Sequence, residues 1–210
     1  MEKKVPAFKL LLAFIIMCSC ATIISADGCN IEVQADFEIA KFLGRWYEMM
    51  WIPPSYLFQN ESYLDFQHNY SLQKDGNISI HIRGRNPTKS ATCFDDFAVL
   101  RPTSEPGKLT YVRYVAGRVN ESSDYWIIGT DYNNYAITYG CRVRNQSICE
   151  EVDSWIWSRS RSLTQQHIEA VKTVIGSICL NVTDYSNTQQ TNGKQLQYVQ
   201  RYLYLSYPIL

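Results

Sequence analysis

Short runs rich in aromatic and β-branched residues recur from Gly44 onward, separated by clusters of Asn, Asp, Gly, Ser and Pro. This pattern is typical of an antiparallel β-sandwich or β-barrel. The runs cover 44–50, 63–72, 78–85, 93–100, 109–117, 125–130, 135–143 and 154–159. Polar clusters at 74–77, 102–108, 120–124, 131–134 and 144–147 have the composition of tight turns, so each strand is expected to pair with its neighbour in sequence.

The third run indicates how such a sheet divides its faces. Ile78, Ile80 and Ile82 alternate with polar residues, which predicts one apolar face and one solvated face. Eight up-and-down strands can close into a barrel, and closure removes the exposed edges of an open sheet. After the last run, residues 163–179 have apolar positions near a 3.6-residue period, which predicts one helix with Thr164 as its N-cap. The predicted fold class is all-β: an eight-stranded antiparallel up-and-down barrel with one C-terminal α-helix.

The first 26 residues have the pattern of a secretory signal peptide. Lys3, Lys4 and Lys9 accompany an apolar run at 10–18, and "ISA" at 24–26, which ends at Ala26, suits a cleavage site. The apolar run is too short for the roughly 20 residues of a membrane span. Removal leaves 210 − 26 = 184 residues, which fits one domain at 27–185 followed by a tail at 186–210.

Charge and glycosylation motifs agree with an extracellular protein. The predicted signal contains three lysines and one glutamate, so 20 − 3 = 17 basic and 20 − 1 = 19 acidic residues remain. This balance does not indicate a nucleic-acid partner or an anionic membrane. Asn-x-Ser/Thr sequons, which predict surface glycosylation of a secreted chain, occur at Asn60, Asn69, Asn77, Asn120, Asn145 and Asn181.

Three motifs within this pattern resemble the signatures of the lipocalin family. "GRWYEM" at 44–49 resembles the first-strand Gly-x-Trp motif, "TDYNNYAITY" at 130–139 resembles the motif between strands six and seven, and "SR" at 158–159 resembles the closing arginine of strand eight. The resemblance runs from about Cys29 to Cys179. Within the family it is shared between retinol-binding proteins and apolipoprotein D with its insect, Lazarillo-type relatives.

The resemblance implies structural roles for several motif residues. Trp46 is expected to plug the closed end of the barrel, with Arg159 across its indole ring. Along the first strand, alternation places Trp46, Glu48 and Met50 on one face and Tyr47, Met49 and Trp51 on the other. The full set of expected structural residues is Gly44, Trp46, Thr130, Asp131, Tyr132 and Arg159.

Five cysteines lie outside the predicted signal peptide, and an oxidising compartment predicts two disulfides and one odd thiol. Resemblance to the retinol-binding branch implies Cys29–Cys179 and Cys141–Cys149, which leaves Cys93 unpaired. Resemblance to the apolipoprotein D branch implies Cys29–Cys141 and Cys93–Cys179, which leaves Cys149 unpaired. Both schemes stay open at this point.

The resemblance further implies a barrel interior that holds a small hydrophobic ligand: a retinoid first, otherwise a fatty acid, sterol or bilin. Ordinary core packing is the alternative for each lining residue. The expected lining residues are Ile80, Ile82, Tyr111, Tyr125, Ile127, Trp155 and Trp157, with Leu57 and Phe58 on a loop over the entrance.

Arg113 is the one charged residue among the expected ligand-binding positions. It shares strand parity with Leu109, Tyr111 and Val115, which the family pattern turns inward. A buried cation requires a partner, so we expect Arg113 to meet a ligand carboxylate. The alternative is that a bulge or register shift places it outside.

The sequence gives little support to an enzyme. His68, His81 and His167 lie in no known catalytic or metal-binding motif, and neighbouring acids such as Asp95 and Asp96 face opposite ways on a strand. No catalytic residue, metal or cofactor is predicted. The other function kept open is an extracellular protein-interaction module that uses the barrel surface and the aromatic tail, with a carrier or receptor protein as partner.

Overall fold

The structure is a computed structural model that describes residues 31–53, 64–85, 93–145, 148–178 and 180–191. Several sequence predictions lie outside these residues: the signal peptide, the tail from residue 192 onward, Cys29, Leu57, Phe58, Asn60 and Cys179. No helix of the described ranges is both long and apolar enough to cross a membrane.

Eight antiparallel strands form the body of the protein. They are β1 (Gly44–Trp51), β2 (Leu64–Leu72), β3 (Ile78–Arg85), β4 (Cys93–Pro102), β5 (Lys108–Val115), β6 (Arg118–Thr130), β7 (Tyr135–Asn145) and β8 (Ile148–Ser158). Each pairs with its neighbours in sequence, and β1 pairs with both β2 and β8, so the sheet closes into a barrel. The predicted fold class is confirmed.

Helices and one short strand complete the described chain. Helix α1 (Ile39–Phe42) leads into β1, and helix α2 (Gln165–Ser177) follows β8. Thr164 caps α2, as predicted, because its side chain accepts a hydrogen bond from the backbone N–H of His167. After a 3₁₀ turn at Val182–Asp184, strand β9 (Ser186–Asn187) pairs with β1. The sequence pattern predicted neither α1 nor β9, because both are too short to show a period.

One predicted turn is wrong. Residues 120–124 lie inside β6, and the chain reverses instead at Ala116 and Gly117, which have φ values of 49° and 75°. A left-handed backbone is easily adopted by glycine, so this pair makes the tight connection. The polar stretch remains a strand because residues 121–124 pair with β5, for example Glu121 with Arg113. Tertiary pairing therefore overrides the low strand propensity of these residues.

Two apolar cores lie on opposite sides of the barrel wall. The inner core contains Trp46, Ile80, Ile127 and Trp157, all fully buried. The outer core lies between α2 and the wall and contains Val171 and Ile175 of the helix together with Ile137 and Ile156 of the strands.

A bulge in β1 changes which residues belong to each core. The pairing with β8 shifts between Glu48 and Met50, so Met50 packs against the outer core and not on the face of Trp46. Beyond the bulge, Trp51 is opposite Trp155, which packs against the inner core. The strict alternation predicted for this strand is therefore wrong after Glu48, because a bulge inserts one extra residue.

Candidate functional site: the barrel interior and its mouth

The closed end of the barrel is organised around Trp46 and Arg159. Trp46 donates its indole N–H to the carbonyl of Phe42 at 2.8 Å and stacks on the Phe42 ring. The guanidinium carbon of Arg159 lies 3.8 Å from the Trp46 ring centroid. Gly44 has a φ of 92°, and a Cβ there would come within 3.4 Å of Arg159. These contacts close this end.

The turn between β6 and β7 holds the same arginine from the other side. Asp131 accepts hydrogen bonds from the backbone N–H groups of Asn133, Asn134 and Tyr135. Thr130 donates its hydroxyl to the carbonyl of Tyr135. The Tyr132 carbonyl accepts from Arg159 Nε at 2.9 Å. The resemblance-based motif residues therefore meet at one end of the barrel.

Apart from Arg113, the expected ligand-binding residues of the described strands all belong to or pack against the inner core. Ile80, Ile127 and Trp157 have no exposed surface, and Ile82 and Tyr125 are buried. Tyr111 and Trp155 are only half-buried. At Tyr111 and Trp155, therefore, the inner wall of the barrel is no longer fully covered.

Four aromatic side chains form a ladder across this wall from β5 to β8. Tyr111 and Tyr125, Tyr125 and Trp155, and Trp155 and Trp157 are each separated by 6.4 Å between ring centroids, with interplanar angles of 24° to 27°. The rings thus present nearly parallel faces along one side of the interior. Such a surface suits a flat apolar ligand.

A buried chain of hydrogen bonds lies below the ladder, and sequence reasoning missed it. His68 Nδ1 is 2.9 Å from the Tyr70 hydroxyl, which is 2.6 Å from the Tyr125 hydroxyl. Burial lowers the pKa of His68 to about 3, so the imidazole is neutral at physiological pH. Burial also raises the pKa of Tyr70 well above its ordinary value. The network is therefore a set of neutral dipoles that satisfies polar atoms in an apolar interior.

Glu48 is the most unusual acid of the interior. It is 5% exposed and accepts a 2.5 Å hydrogen bond from the Thr188 hydroxyl. Burial raises its pKa to about 8, although the bond from Thr188 acts in the opposite direction. A signal for this position was present in the sequence, since Glu48 is the acid two residues after Trp46 in an otherwise apolar run.

Arg113 faces the interior near the mouth, but its partner is a residue of the protein. It is opposite Ala98, and its Nη2 lies 2.5 Å from Asp96 Oδ2. The expectation that a ligand carboxylate is needed to balance Arg113 is wrong, because Asp96 already does so. Asp95, the preceding residue, points outward and pairs with His81, so the predicted opposition of the two aspartates is confirmed.

A second ion pair lies at the same level on β7 and β8. Arg142 donates two hydrogen bonds of 3.0 Å to Asp153, one from Nε and one from Nη2. Asp153 is 3% exposed, and burial raises its pKa although Arg142 acts against this. Asp153 shares the strand parity of Trp155 and Trp157, which in retrospect was the sequence signal for an inward acid.

The segment after α2 closes the gap between β1 and β2. Thr188 donates its backbone N–H to Met49, and the Gln190 amide donates to carbonyls of both Glu48 and Phe66. Asp65, with a φ of 53°, accepts hydrogen bonds from Arg85, Arg161 and Thr191. Residues 186–191, assigned to a tail from sequence, are therefore part of the barrel wall.

The described cysteines agree with one of the two disulfide schemes at Cys141. Cys141 and Cys149 form a disulfide between β7 and β8, with a Cα–Cα distance of 5.7 Å, so the pairing of Cys29 with Cys141 is wrong. Cys93 is a free, exposed thiol.

Among the described sequons, Asn77 is half-buried, and the exposed ones are Asn69, Asn120, Asn145 and Asn181.

Other features of the described chain lie apart from the interior. A cavity of about 410 Å³ lies outside the barrel beneath α2, lined by Glu32, Val33, Ile128, Val174, Ser177 and Ile178. In the ranges that the structure describes, no three His, Cys, Asp or Glu residues are grouped so that they could hold a metal ion. On the outer surface, the ring of His81 stacks on that of Phe97, and His167 of α2 lies near Tyr135 of β7.

Comparisons with known proteins agree with this architecture. The chain is 32% identical to apolipoprotein D of Cavia porcellus over 164 residues, which cover 78% of this chain and 82% of that protein. It is 27% identical to retinol-binding protein 4 of Rattus norvegicus, covering 72% of this chain and 77% of the relative. Among solved structures, insecticyanin of Manduca sexta superposes with a TM-score of 0.65 at 20% identity, covering 78% of this chain and 87% of insecticyanin.

The family model described as "Lipocalin / cytosolic fatty-acid binding protein family" matches residues 43–192. That range begins beside Gly44 at the closed end and finishes one residue after Thr191, where the closing segment meets Asp65. It includes the whole barrel, α2 and β9. The chain therefore belongs to the lipocalin family, whose eight-stranded barrels hold small hydrophobic ligands.

Proposed function

We propose that this protein is a secreted carrier that binds a small hydrophobic ligand inside the barrel, and that the ligand is a retinoid before a fatty acid, sterol or bilin. The observation that carries the proposal is the aromatic ladder of Tyr111, Tyr125, Trp155 and Trp157, two rungs of which are half-buried. A flat conjugated molecule stacked there would bury apolar surface worth roughly 25 cal/mol per Å². That is enough for useful affinity without any chemistry.

Similarity to retinol-binding protein 4 and to apolipoprotein D supports this ligand class. The predicted signal peptide, the exposed sequons and the Cys141–Cys149 disulfide support secretion and glycosylation, since disulfides persist in oxidising compartments. Digestion of tissue-derived protein with an N-glycosidase, followed by intact mass measurement, tests the glycans. A mass that is unchanged by digestion and equal to that of the full 210-residue chain would contradict both the removal of a signal peptide and the glycosylation.

The ligand itself is tested by native mass spectrometry and absorbance of protein purified from its own tissue. Retinol is identified by its fluorescence and a bilin by its visible colour. If organic extraction yields nothing and retinol, oleic acid and a sterol all fail to bind the purified protein, the carrier function is wrong.

A matched pair of tryptophan variants tests the place of binding. Trp155→Ala removes a rung of the ladder and is expected to weaken retinol binding at least tenfold. Trp126→Ala removes an indole from the outer wall, where Trp126 packs against Tyr139 and Lys108, and should leave binding unchanged. Equal effects of both variants would contradict an interior site.

A second candidate function is protein interaction through the outer surface. Phe97 and Val119 are large apolar side chains that are 61% and 57% exposed, and a protein partner would bury them. The partner would be a carrier or receptor protein. Deleting residues 192–210 keeps the described wall segment, in which Thr191 binds Asp65. A change of size in solution with unchanged ligand affinity would favour this function.

A further inference from the structure

Two arginines at the mouth of the barrel are each already paired with an aspartate. Arg113 on β5 pairs with Asp96 on β4, and Arg142 on β7 pairs with Asp153 on β8. Strand register places Asp96 opposite Ile82 and Asp153 opposite Gly140, on the inner face. Both described guanidinium groups of this region are therefore neutralised by carboxylates of the protein.

A further carboxylate makes the mouth acidic. Glu121 is directly opposite Arg113 on β6 and is half-buried. Together with burial, its charge raises the pKa of the neighbouring Tyr111. Asp96, Asp153 and Glu121 thus stand against Arg113 and Arg142, so these five described side chains of the inner rim have 2 − 3 = −1 net charge. An anion that entered would leave water for a region of its own sign.

The same region holds two buried donors that lack an acceptor within the described chain. They are Arg113 Nε and Trp51 Nε1. Each is an N–H group that can only donate, and a buried donor without a partner costs free energy. An uncharged oxygen of a ligand can accept from such a group without adding charge.

We propose that the mouth of this barrel selects a neutral apolar ligand with a hydroxyl or carbonyl oxygen and discriminates against the corresponding carboxylic acid. This inference rests on the proposed carrier function and names its ligand class. A carboxylate bound to Arg113 Nε would stand beside the negative charges of Asp96 and Glu121, and one that displaced Asp96 from Arg113, or Asp153 from Arg142, would leave a partly buried acid unpaired. Asp96 therefore acts as a specificity determinant that keeps Arg113 from binding acids.

The test compares an alcohol with its acid in two ligand series: retinol with retinoic acid, and oleyl alcohol with oleic acid. Binding is followed by quenching of tryptophan fluorescence, which serves all four ligands. The wild-type protein is expected to bind each alcohol at least about tenfold more tightly than its acid.

Asp96→Asn then frees the guanidinium of Arg113 while keeping an oxygen for the Asp96 contact with the Phe97 N–H. This variant is expected to bind the acids at least fivefold more tightly and the alcohols as before. Asp95→Asn, on the outer face of the same strand, is the matched control and should leave all four affinities unchanged. Glu121 has no ion-pair partner among the described residues, so Glu121→Gln lowers the negative charge of the mouth without breaking a described pair. It tests the discrimination against acids if Asp96→Asn folds poorly.

Two negative results would lead to different conclusions about the carrier function and the ligand class. If none of the four ligands binds the wild-type protein, both the carrier function and the inferred ligand class are wrong. If the acids bind as tightly as the alcohols, or if both Asp96→Asn and Glu121→Gln leave the acid-to-alcohol ratio unchanged, the carrier function stands and this inference is wrong.

Discussion

The guanidinium of Arg159 lies flat over the indole ring of Trp46, with 3.8 Å between the guanidinium carbon and the ring centroid. Its nitrogen atoms also donate to the carbonyls of Tyr132, Arg45, Lys41 and Phe42. One side chain thereby joins the start of β1, the end of β8 and the turn between β6 and β7.

Arg159→Lys is expected to lower the free energy of unfolding by about 2–3 kcal/mol. Lysine keeps the charge but loses the planar stack and most of the hydrogen bonds to carbonyls. Urea denaturation measures the change as a lower midpoint at constant slope. Arg118→Lys, at the exposed β5–β6 turn, is the control and should be neutral; an equal loss in both variants would contradict the role of Arg159.

Glu48 is expected to make the protein less stable as the pH rises. Its pKa is about 8 in the folded protein against an ordinary value of 4.5, so the folded state binds the extra proton and the free energy of unfolding falls between about pH 4.5 and 8. The full effect is on the order of 5 kcal/mol. Glu48→Gln should match the wild type at pH 5 and exceed it at pH 8.5 in urea denaturation.

The exposed Glu169 of α2 offers a control for this prediction. Glu169→Gln should leave the pH dependence between pH 5 and 8.5 as in the wild type, since Glu169 is on the solvent side of the helix. A Glu48→Gln variant whose stability still falls by the wild-type amount over this range would show that Glu48 is ionised in the folded protein.

His68 is expected to make the protein less stable at acid pH. Its pKa is about 3 in the folded protein against an ordinary value of 6.5, so the unfolded chain binds the extra proton and stability falls as the pH drops from about 6.5 to 3. Between pH 4.5 and 6.5 the contributions of His68 and Glu48 have opposite slopes and cancel. The stability of the wild type and of both variants is measured between pH 4.5 and 6.5. A steep slope in the wild type that is absent from His68→Gln and Glu48→Gln would contradict the two shifted pKa values.

Asp65→Asn is expected to loosen the segment that fills the gap between β1 and β2. Burial alone would raise the pKa of Asp65, but hydrogen bonds from Thr191 and the charge of Arg85 outweigh it, so the pKa lies below its ordinary value and the carboxylate is charged. Asparagine tolerates the positive φ but leaves two arginines without a counterion. A loss of about 3–5 kcal/mol is expected.

Hydrogen exchange distinguishes this local effect from a general one. In Asp65→Asn, the amides of 187–191 should exchange faster than in the wild type under conditions where β4 and β5 stay protected. Asp75→Asn, in the exposed turn between β2 and β3, should not change exchange at 187–191. Uniform acceleration over the whole barrel would contradict the localised role.

The disulfide prediction uses a control cysteine already present in the chain. Replacing both Cys141 and Cys149 by serine opens a loop with a sequence separation of 8 and is expected to lower the free energy of unfolding by roughly 2.5 kcal/mol. Cys93→Ser, at the exposed free thiol, should change stability by less than about 0.5 kcal/mol. The two variants are compared by urea denaturation without reductant, and equal stability would contradict the prediction.

The local sequence pattern was sufficient to predict the barrel because its strands pair with their neighbours in sequence. The alternation of Ile78, Ile80 and Ile82 identified the inner face correctly, and Thr164 marked the start of α2. Register between adjacent antiparallel strands is set by the same two-residue period that the sequence displays. The turn near Gly117 escaped notice because its polar neighbours gain their strand conformation from β5, which a local window does not include.

What the sequence determined by itself is the order of the strands and, through the alternation of Ile78, Ile80 and Ile82, the face that β3 buries. Only the tertiary structure decided what Arg113 and Glu48 meet. Asp96 is 17 residues before Arg113, and Thr188 is 140 residues after Glu48. Chain closure, the β1 bulge and the return of residues 186–191 bring these groups together. Ion pairs and buried acids depend on distances between side chains remote in sequence, and such distances leave no period along the chain.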